Sequence, residues 1–64
     1  MKQIRNKKLK SLLYVEERNA SWLARKLDVS PTLVHYWVRG KRNIHDKYLQ
    51  RISNIFNIDV LYFD

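Results

Sequence analysis

The sequence predicts an all-α fold of four or five short helices, and three observations predict it. Apolar residues recur at helical rather than alternating spacing, most clearly over Tyr48, Leu49, Ile52, Ile55 and Phe56. The stretches between are bounded by residues that start or stop helices: Asn19, the Ser30-Pro31 pair, Gly40 and Asp46. The connections are short, and with one Gly and one Pro in 64 residues there is no material for a linker or a low-complexity segment.

The first helix is expected from Ile4 to about Glu17, with Leu9, Leu12 and Leu13 on one face and lysines on the other. Asn19 is suited to cap the next one, because its short side chain can accept from the free amides of a first helical turn. That helix, about Ala20 to Leu27, places Leu23, Ala24 and Leu27 on one side. Asp28-Val29-Ser30 then forms a three-residue turn. Pro31 follows a serine cap with its φ already set and no amide to satisfy, so a third helix runs from Pro31 to Arg39, burying Val34 and Trp37.

Gly40 suits the left-handed position just past that helix. Lys41 to His45 form a basic loop, Asp46 caps the fourth helix, and Asn57 breaks it. Ile58 to Phe63 read as a short last helix or turn, although Val60-Leu61-Tyr62-Phe63 has β propensity and leaves a strand open. In this reading Leu61 closes the core and Tyr62 and Phe63 are surplus to it.

Sixty-four residues suffice for one domain, taken here as 1–64, whose small core has to be packed efficiently. Without cysteine there is no disulfide or thiolate metal site, which fits a reducing cytoplasm. No signal peptide is visible, and the apolar runs fall far short of the ~20 residues of a membrane span. His35 and His45 have no partners at metal-ligand spacing, so neither a metal nor another cofactor is expected. Glu16 and Glu17 are adjacent and point apart on a helix. No Ser/His/Asp arrangement is present, and one Gly cannot build a phosphate-cradling loop, so enzymatic activity and a small-molecule ligand are not expected.

Charge is the first pointer to function. Thirteen Lys and Arg against six Asp and Glu leave a net +7, which attracts polyanions, although a solvated surface carries such charge equally well. The charge is uneven. Lys2, Arg5, Lys7, Lys8 and Lys10 crowd the start, Arg39, Lys41, Arg42 and Lys47 follow the middle, and from Ile52 onward only Asp59 and Asp64 are charged.

The decisive arrangement is the pair of short helices joined by Asp28-Val29-Ser30. Ala24 lets the helices cross closely, while Leu23, Leu27, Val29, Val34 and Trp37 hold the second at an angle with its outer face free. With Asn19, Leu23-Ala24, Leu27-Asp28-Val29-Ser30, Val34, Trp37, Gly40-Lys41-Arg42 and the Ile52…Phe56-Asn57-Ile58 tail in this order, the sequence resembles the Xre family of helix-turn-helix regulators, which includes the Cro and repressor proteins of lambda-like phages. It departs from the family at Asp28, where glycine is usual, at Trp22, where a polar residue is common, and at Val38, in place of a frequent acidic residue. Asp tolerates a left-handed backbone, so the turn survives.

The resemblance implies a compact lambda-repressor-like domain, with its helix-turn-helix at about 20–39, that binds double-stranded DNA. It further implies a transcription regulator, a Cro-like repressor of phage or mobile-element type, reading a pseudo-palindromic operator. The helix from Pro31 to Arg39 would enter the major groove with Thr32, Leu33, His35 and Tyr36 toward the bases. Thr32 and Leu33 can pack on thymine methyls, and Tyr36 can offer its hydroxyl to a phosphate or a base edge. Leu33 and Tyr36 also have a second reading, as partly buried core residues. Without a Gln, Asn or early Arg for bidentate pairing, readout would rely on van der Waals contact, water and DNA shape.

Phosphate contacts would come from Asn19, Ser30, Arg39, Lys41 and Arg42. The N-terminal lysines either reach flanking DNA or form a charged, frayed end. Trp22 is either a satellite core contact with Tyr62 or Phe63 or, with both of them, part of a weak homodimer interface formed in solution or on DNA. The competing reading is a non-enzymatic protein-interaction module of the same fold, binding another regulator through Trp22 and the tail. A membrane-surface peptide is not expected, because the apolar pattern needs a globular core.

Overall fold

A computed structural model describes residues 3–64. It contains α1 (Gln3–Val15), α2 (Ala20–Leu27), α3 (Pro31–Arg39) and α4 (Asp46–Phe56), and a closing 3-10 helix (Val60–Phe63), with no strand among the described residues. The all-α expectation holds. Lys2 lies outside the described residues.

Each boundary has a local cause. α1 stops at Val15, two residues short of the expected end, because Glu17 turns left-handed (φ 57°). The Arg18 amide can then return to the Leu13 carbonyl (2.9 Å) and the Glu17 amide to Tyr14 (3.1 Å). Asn19 caps α2, its Oδ1 accepting from the Trp22 amide at 2.8 Å. Asp28 then goes left-handed (φ 60°), and the Val29 amide donates to the Ala24 carbonyl at 3.0 Å. That reversal makes the tight turn into α3, whose Ser30 hydroxyl accepts from the Leu33 amide. Gly40, at φ 76°, closes α3.

At the start of α4 the structure corrects the sequence reading. The cap of α4 is His45 rather than Asp46: its Nδ1 accepts from the Lys47 amide at 3.3 Å. Asp46 becomes the first helical residue, where a carboxylate complements the helix dipole and stays free to pair with Arg5. The tail is the short helix expected, and the strand left open does not form; Asp59 accepts from the Leu61 amide at 2.9 Å. Its burial is the reverse of the expectation. Phe63 is fully enclosed, while Leu61 is 68% exposed. A 3-10 helix brings i and i+3 to one side, so half-buried Val60 and buried Phe63 share the inward face and Leu61 is turned away.

The core gathers Leu9, Leu12 and Leu13 of α1, Leu23, Ala24 and Leu27 of α2, Val34 and Trp37 of α3, Leu49 and Ile52 of α4, and Phe63. Trp37 meets Tyr48 at 5.1 Å between ring centroids. Ile44, inside the stretch read as a basic loop, is also buried and pins that loop to the core. Ser53 is satisfied within its own helix by the Leu49 carbonyl (2.8 Å). Arg51 Nη2 donates to the Leu27 carbonyl at 2.8 Å, tying α4 to the end of α2.

Candidate nucleic-acid interface

α2 and α3 make the most extensive helix–helix contact of the fold, with Ala24 buried where they meet. Burial of Val34 and Trp37 fixes the roll of α3. Thr32, His35, Tyr36 and Arg39 are therefore exposed, and Leu33 is half-buried against the core. Leu33 thus takes the partly buried reading, with only part of its side chain left to a ligand. Tyr36 is 38% exposed.

The end of α3 carries most of the local charge. Tyr36, Arg39, Lys41 and Arg42 line one shallow hollow. Three of these four are cations, which makes the hollow complementary to an anion such as a phosphate. The Arg42 guanidinium lies over the Tyr36 ring, 5.9 Å from its centroid. Asn19 and Ser30 stand at the starts of α2 and α3, and both use their side-chain oxygens as caps.

The basic N-terminal run divides into two kinds of residue. Lys7 and Lys10 are exposed, and Lys8 Nζ sits 5.6 Å from the Tyr62 ring centroid. Arg5 is engaged inside the fold. Its Nη1 bonds Asp46 Oδ1 at 2.7 Å and the Ile44 carbonyl at 3.3 Å, and its Nε pairs with Asp64 at 3.4 Å. These carboxylates, the Asp46 hydrogen bond foremost, hold the Arg5 pKa above its ordinary value against the opposing effect of desolvation.

The aromatics expected at a contact between copies are placed differently from one another. Phe63 is buried and leaves no surface for a partner, which removes it from any dimer interface. Trp22 packs on Phe56 (5.6 Å), not on Tyr62 or Phe63, with the Arg18 guanidinium 4.5 Å and Lys26 Nζ 5.7 Å from its ring centroid. Tyr62 keeps an exposed edge, but beneath Lys8 rather than away from positive charge, and its hydroxyl donates to the Lys8 carbonyl at 3.3 Å.

Asn6 was missed by the sequence reading. It is 2% exposed, and its Nδ2 donates to the carbonyls of Trp37 (2.6 Å) and Arg42 (2.8 Å). Its spacing to Leu9 and Leu13, i+3 and i+7, places it on the buried face of α1, and that was the available signal.

The chain matches the helix-turn-helix family over residues 1–63, nearly its whole length, and the α2–turn–α3 unit lies within that match. It belongs to the helix-turn-helix family. As a helix-turn-helix protein of the Xre/Cro-like type, it is a DNA-binding domain of transcription regulation, in a family of regulatory rather than enzymatic domains. No curated protein and no solved structure matches it. No helix among the described residues is long and apolar enough to cross a membrane, and no group of three or more His, Asp or Glu among them is placed to hold a metal ion.

Proposed function

We propose that this helix-turn-helix protein is a sequence-specific repressor of Cro-like, phage or mobile-element type that inserts α3 into the major groove of an operator. One observation carries the reading: the exposed face of α3, formed by Thr32, His35 and Tyr36, runs directly into the three-cation hollow of Arg39, Lys41 and Arg42. Groups able to touch base edges and groups able to hold the adjacent phosphates thus lie side by side on one surface. Asn19 and Ser30 add helix-start contacts to the flanking backbone.

The base-reading side chains are a methyl-bearing hydroxyl, an imidazole and a phenol, with only part of Leu33 available. They favour thymine methyl contact and DNA shape over bidentate hydrogen bonding. One such domain covers a modest DNA surface, so two copies on half-sites about one helical turn apart (roughly 34 Å) supply the remaining affinity and specificity. Of the three aromatics expected at a contact between copies, Trp22 and Tyr62 keep surface for a weak one.

Selection of bound duplexes from random DNA tests the proposal. The expected outcome is a pseudo-palindromic, A·T-containing consensus protected in two half-sites by footprinting. Binding with no sequence preference would overturn it. A consensus of guanines opposite Thr32 and Tyr36 would overturn the mode of readout.

A further inference from the structure

We infer that Asn6, buried behind the loop that follows α3, is a positioning residue that pre-sets this phosphate-gripping loop for DNA. The inference rests on the reading of Lys41 and Arg42 as phosphate contacts.

Asn6 directs both protons of one buried amide to two places that belong to different parts of the interface. One is the Trp37 carbonyl in the last turn of α3, and the other is the Arg42 carbonyl in the loop. Trp37 O also receives the Gly40 amide at 3.1 Å, so it keeps a partner without Asn6. For Arg42 O the Asn6 amide is the hydrogen bond that spans from α1. The preceding residue acts on the same loop two positions further on, where Arg5 Nη1 donates to the Ile44 carbonyl and bonds Asp46. With Ile44 buried as well, adjacent residues of α1 hold both ends of the 42–44 segment.

The loop backbone is therefore fixed while the Lys41 and Arg42 side chains stay exposed. Fixing a residue's backbone costs about 1–2 kcal/mol. A loop already fixed in the free protein does not incur that cost on binding, and affinity rises accordingly. The chemistry explains the residue type. Two carbonyl oxygens need two donors at short reach; Asp offers them none, and Leu matches the shape of Asn without the hydrogen bonds.

A double-mutant cycle tests this, with operator affinity referred to the folded fraction measured by circular dichroism. Asn6→Leu is expected to weaken binding about tenfold in the parent protein, the scale of one re-ordered residue, and to have almost no effect in a Lys41→Ala/Arg42→Ala background. Ile52→Val, a mild core truncation away from the loop, supplies the control for general destabilisation, and is expected to leave folded-state affinity unchanged. If Asn6→Leu does not fold, Asn6→Ser repeats the cycle with a smaller polar side chain. In either case, exchange of the Lys41 amide, which bonds the Tyr36 carbonyl at 2.8 Å at the start of the loop, should accelerate relative to exchange in α2.

Equal losses in both backgrounds, or no loss in the parent, would overturn the role of Asn6. A Lys41→Ala/Arg42→Ala protein with unchanged affinity and salt dependence would instead overturn the phosphate-contact reading beneath it.

Discussion

The Arg42 guanidinium rests over the ring of Tyr36, joining the exposed face of α3 to the cationic loop that follows it. The contact restrains a flexible cation at the place where a phosphate would meet Arg39 and Lys41. Two roles of Tyr36 can be separated. Tyr36→Phe keeps the ring and removes the hydroxyl; Tyr36→Ala removes both. Operator binding by Tyr36→Ala is expected to fall by about tenfold or more, the scale of one groove interaction. Tyr36→Phe is expected to lose less, by whatever its hydroxyl gives to a phosphate or base. Equal affinity of Tyr36→Ala and the parent protein, by fluorescence anisotropy, would contradict a place for this side chain at the DNA.

Lys41 and Arg42 are predicted to act without regard to sequence. Replacing either by Ala should weaken operator and random duplex alike and reduce the slope of log K against log salt by about 0.9 for each phosphate no longer neutralised. Arg42→Lys keeps the charge but not the planar group above Tyr36, so it should preserve the slope while reducing affinity. Titrations at several salt concentrations give both quantities. A change in operator preference without a change in slope would move these residues from the backbone to the bases.

The left-handed residues form a ranked series. Glu17 (φ 57°) and Asp28 (φ 60°) occupy a conformation that costs a residue with a Cβ roughly 1–2 kcal/mol, less for Asp, whose side chain tolerates it. Glycine removes that cost but adds about 0.5–1 kcal/mol of unfolded-state entropy. Glu17→Gly should therefore stabilise by about 0.5–1 kcal/mol, Asp28→Gly by less, and Gly40→Ala should destabilise by about 1 kcal/mol. Urea denaturation reads all three. A loss of stability in Glu17→Gly would contradict the turn that ends α1.

These turns also show where the fold could be read from sequence and where it could not. Asn19, Ser30-Pro31, Gly40 and Asn57 act on their nearest neighbours, and each marks its boundary because capping is local chemistry. The α4 start was misplaced by one residue because His45 and Asp46 can both accept from a first-turn amide; in the fold His45 takes the cap while Asp46 pairs with Arg5, a partner 41 residues away. Leu61 and Phe63 were exchanged because inward-facing positions in a four-residue helix depend on its 3-10 period. Asn6 bonds carbonyls 31 and 36 residues away, and nothing beside it in the sequence announces them. At the interface, residue types on α3 were legible, while the partial burial of Leu33 depended on the roll of the helix.

Arg5 links the first helix to the start of α4 and to the last residue. Asp46 and Asp64 are largely exposed, so solvent screens much of the ion pairing, and the hydrogen bond to the Ile44 carbonyl is the better-protected contribution. Arg5→Met is expected to cost about 1 kcal/mol. Because the pKa of Arg5 is raised in the folded state, its contribution is complete at every pH below the ordinary arginine value and is lost only as pH rises through the higher folded value. The difference between Arg5→Met and the parent should therefore stay constant from about pH 6 to pH 9, a range well below the ordinary arginine pKa. A difference that shrank toward pH 9 would assign the effect to another group.

The tail gives the largest contrast between adjacent substitutions. Phe63 is fully buried in the last turn, while Leu61, two residues earlier, is mostly exposed. Removing a buried Phe costs about 3–5 kcal/mol through lost transfer energy and the cavity left behind. That loss is a large part of the roughly 5–15 kcal/mol typical of a folded domain, and a chain this small lies toward the lower end. Phe63→Ala should therefore be substantially unfolded at about 37 °C and bind operator weakly for that reason alone. Leu61→Ala should stay within about 0.5 kcal/mol of the parent, as surface substitutions do. Thermal unfolding followed by far-ultraviolet circular dichroism distinguishes them. If Leu61→Ala were the more damaging in dilute solution, the inward face of the 3-10 helix would be the one expected from sequence. If Leu61→Ala lost stability only at high protein concentration, its exposed side chain would be covered by a second copy.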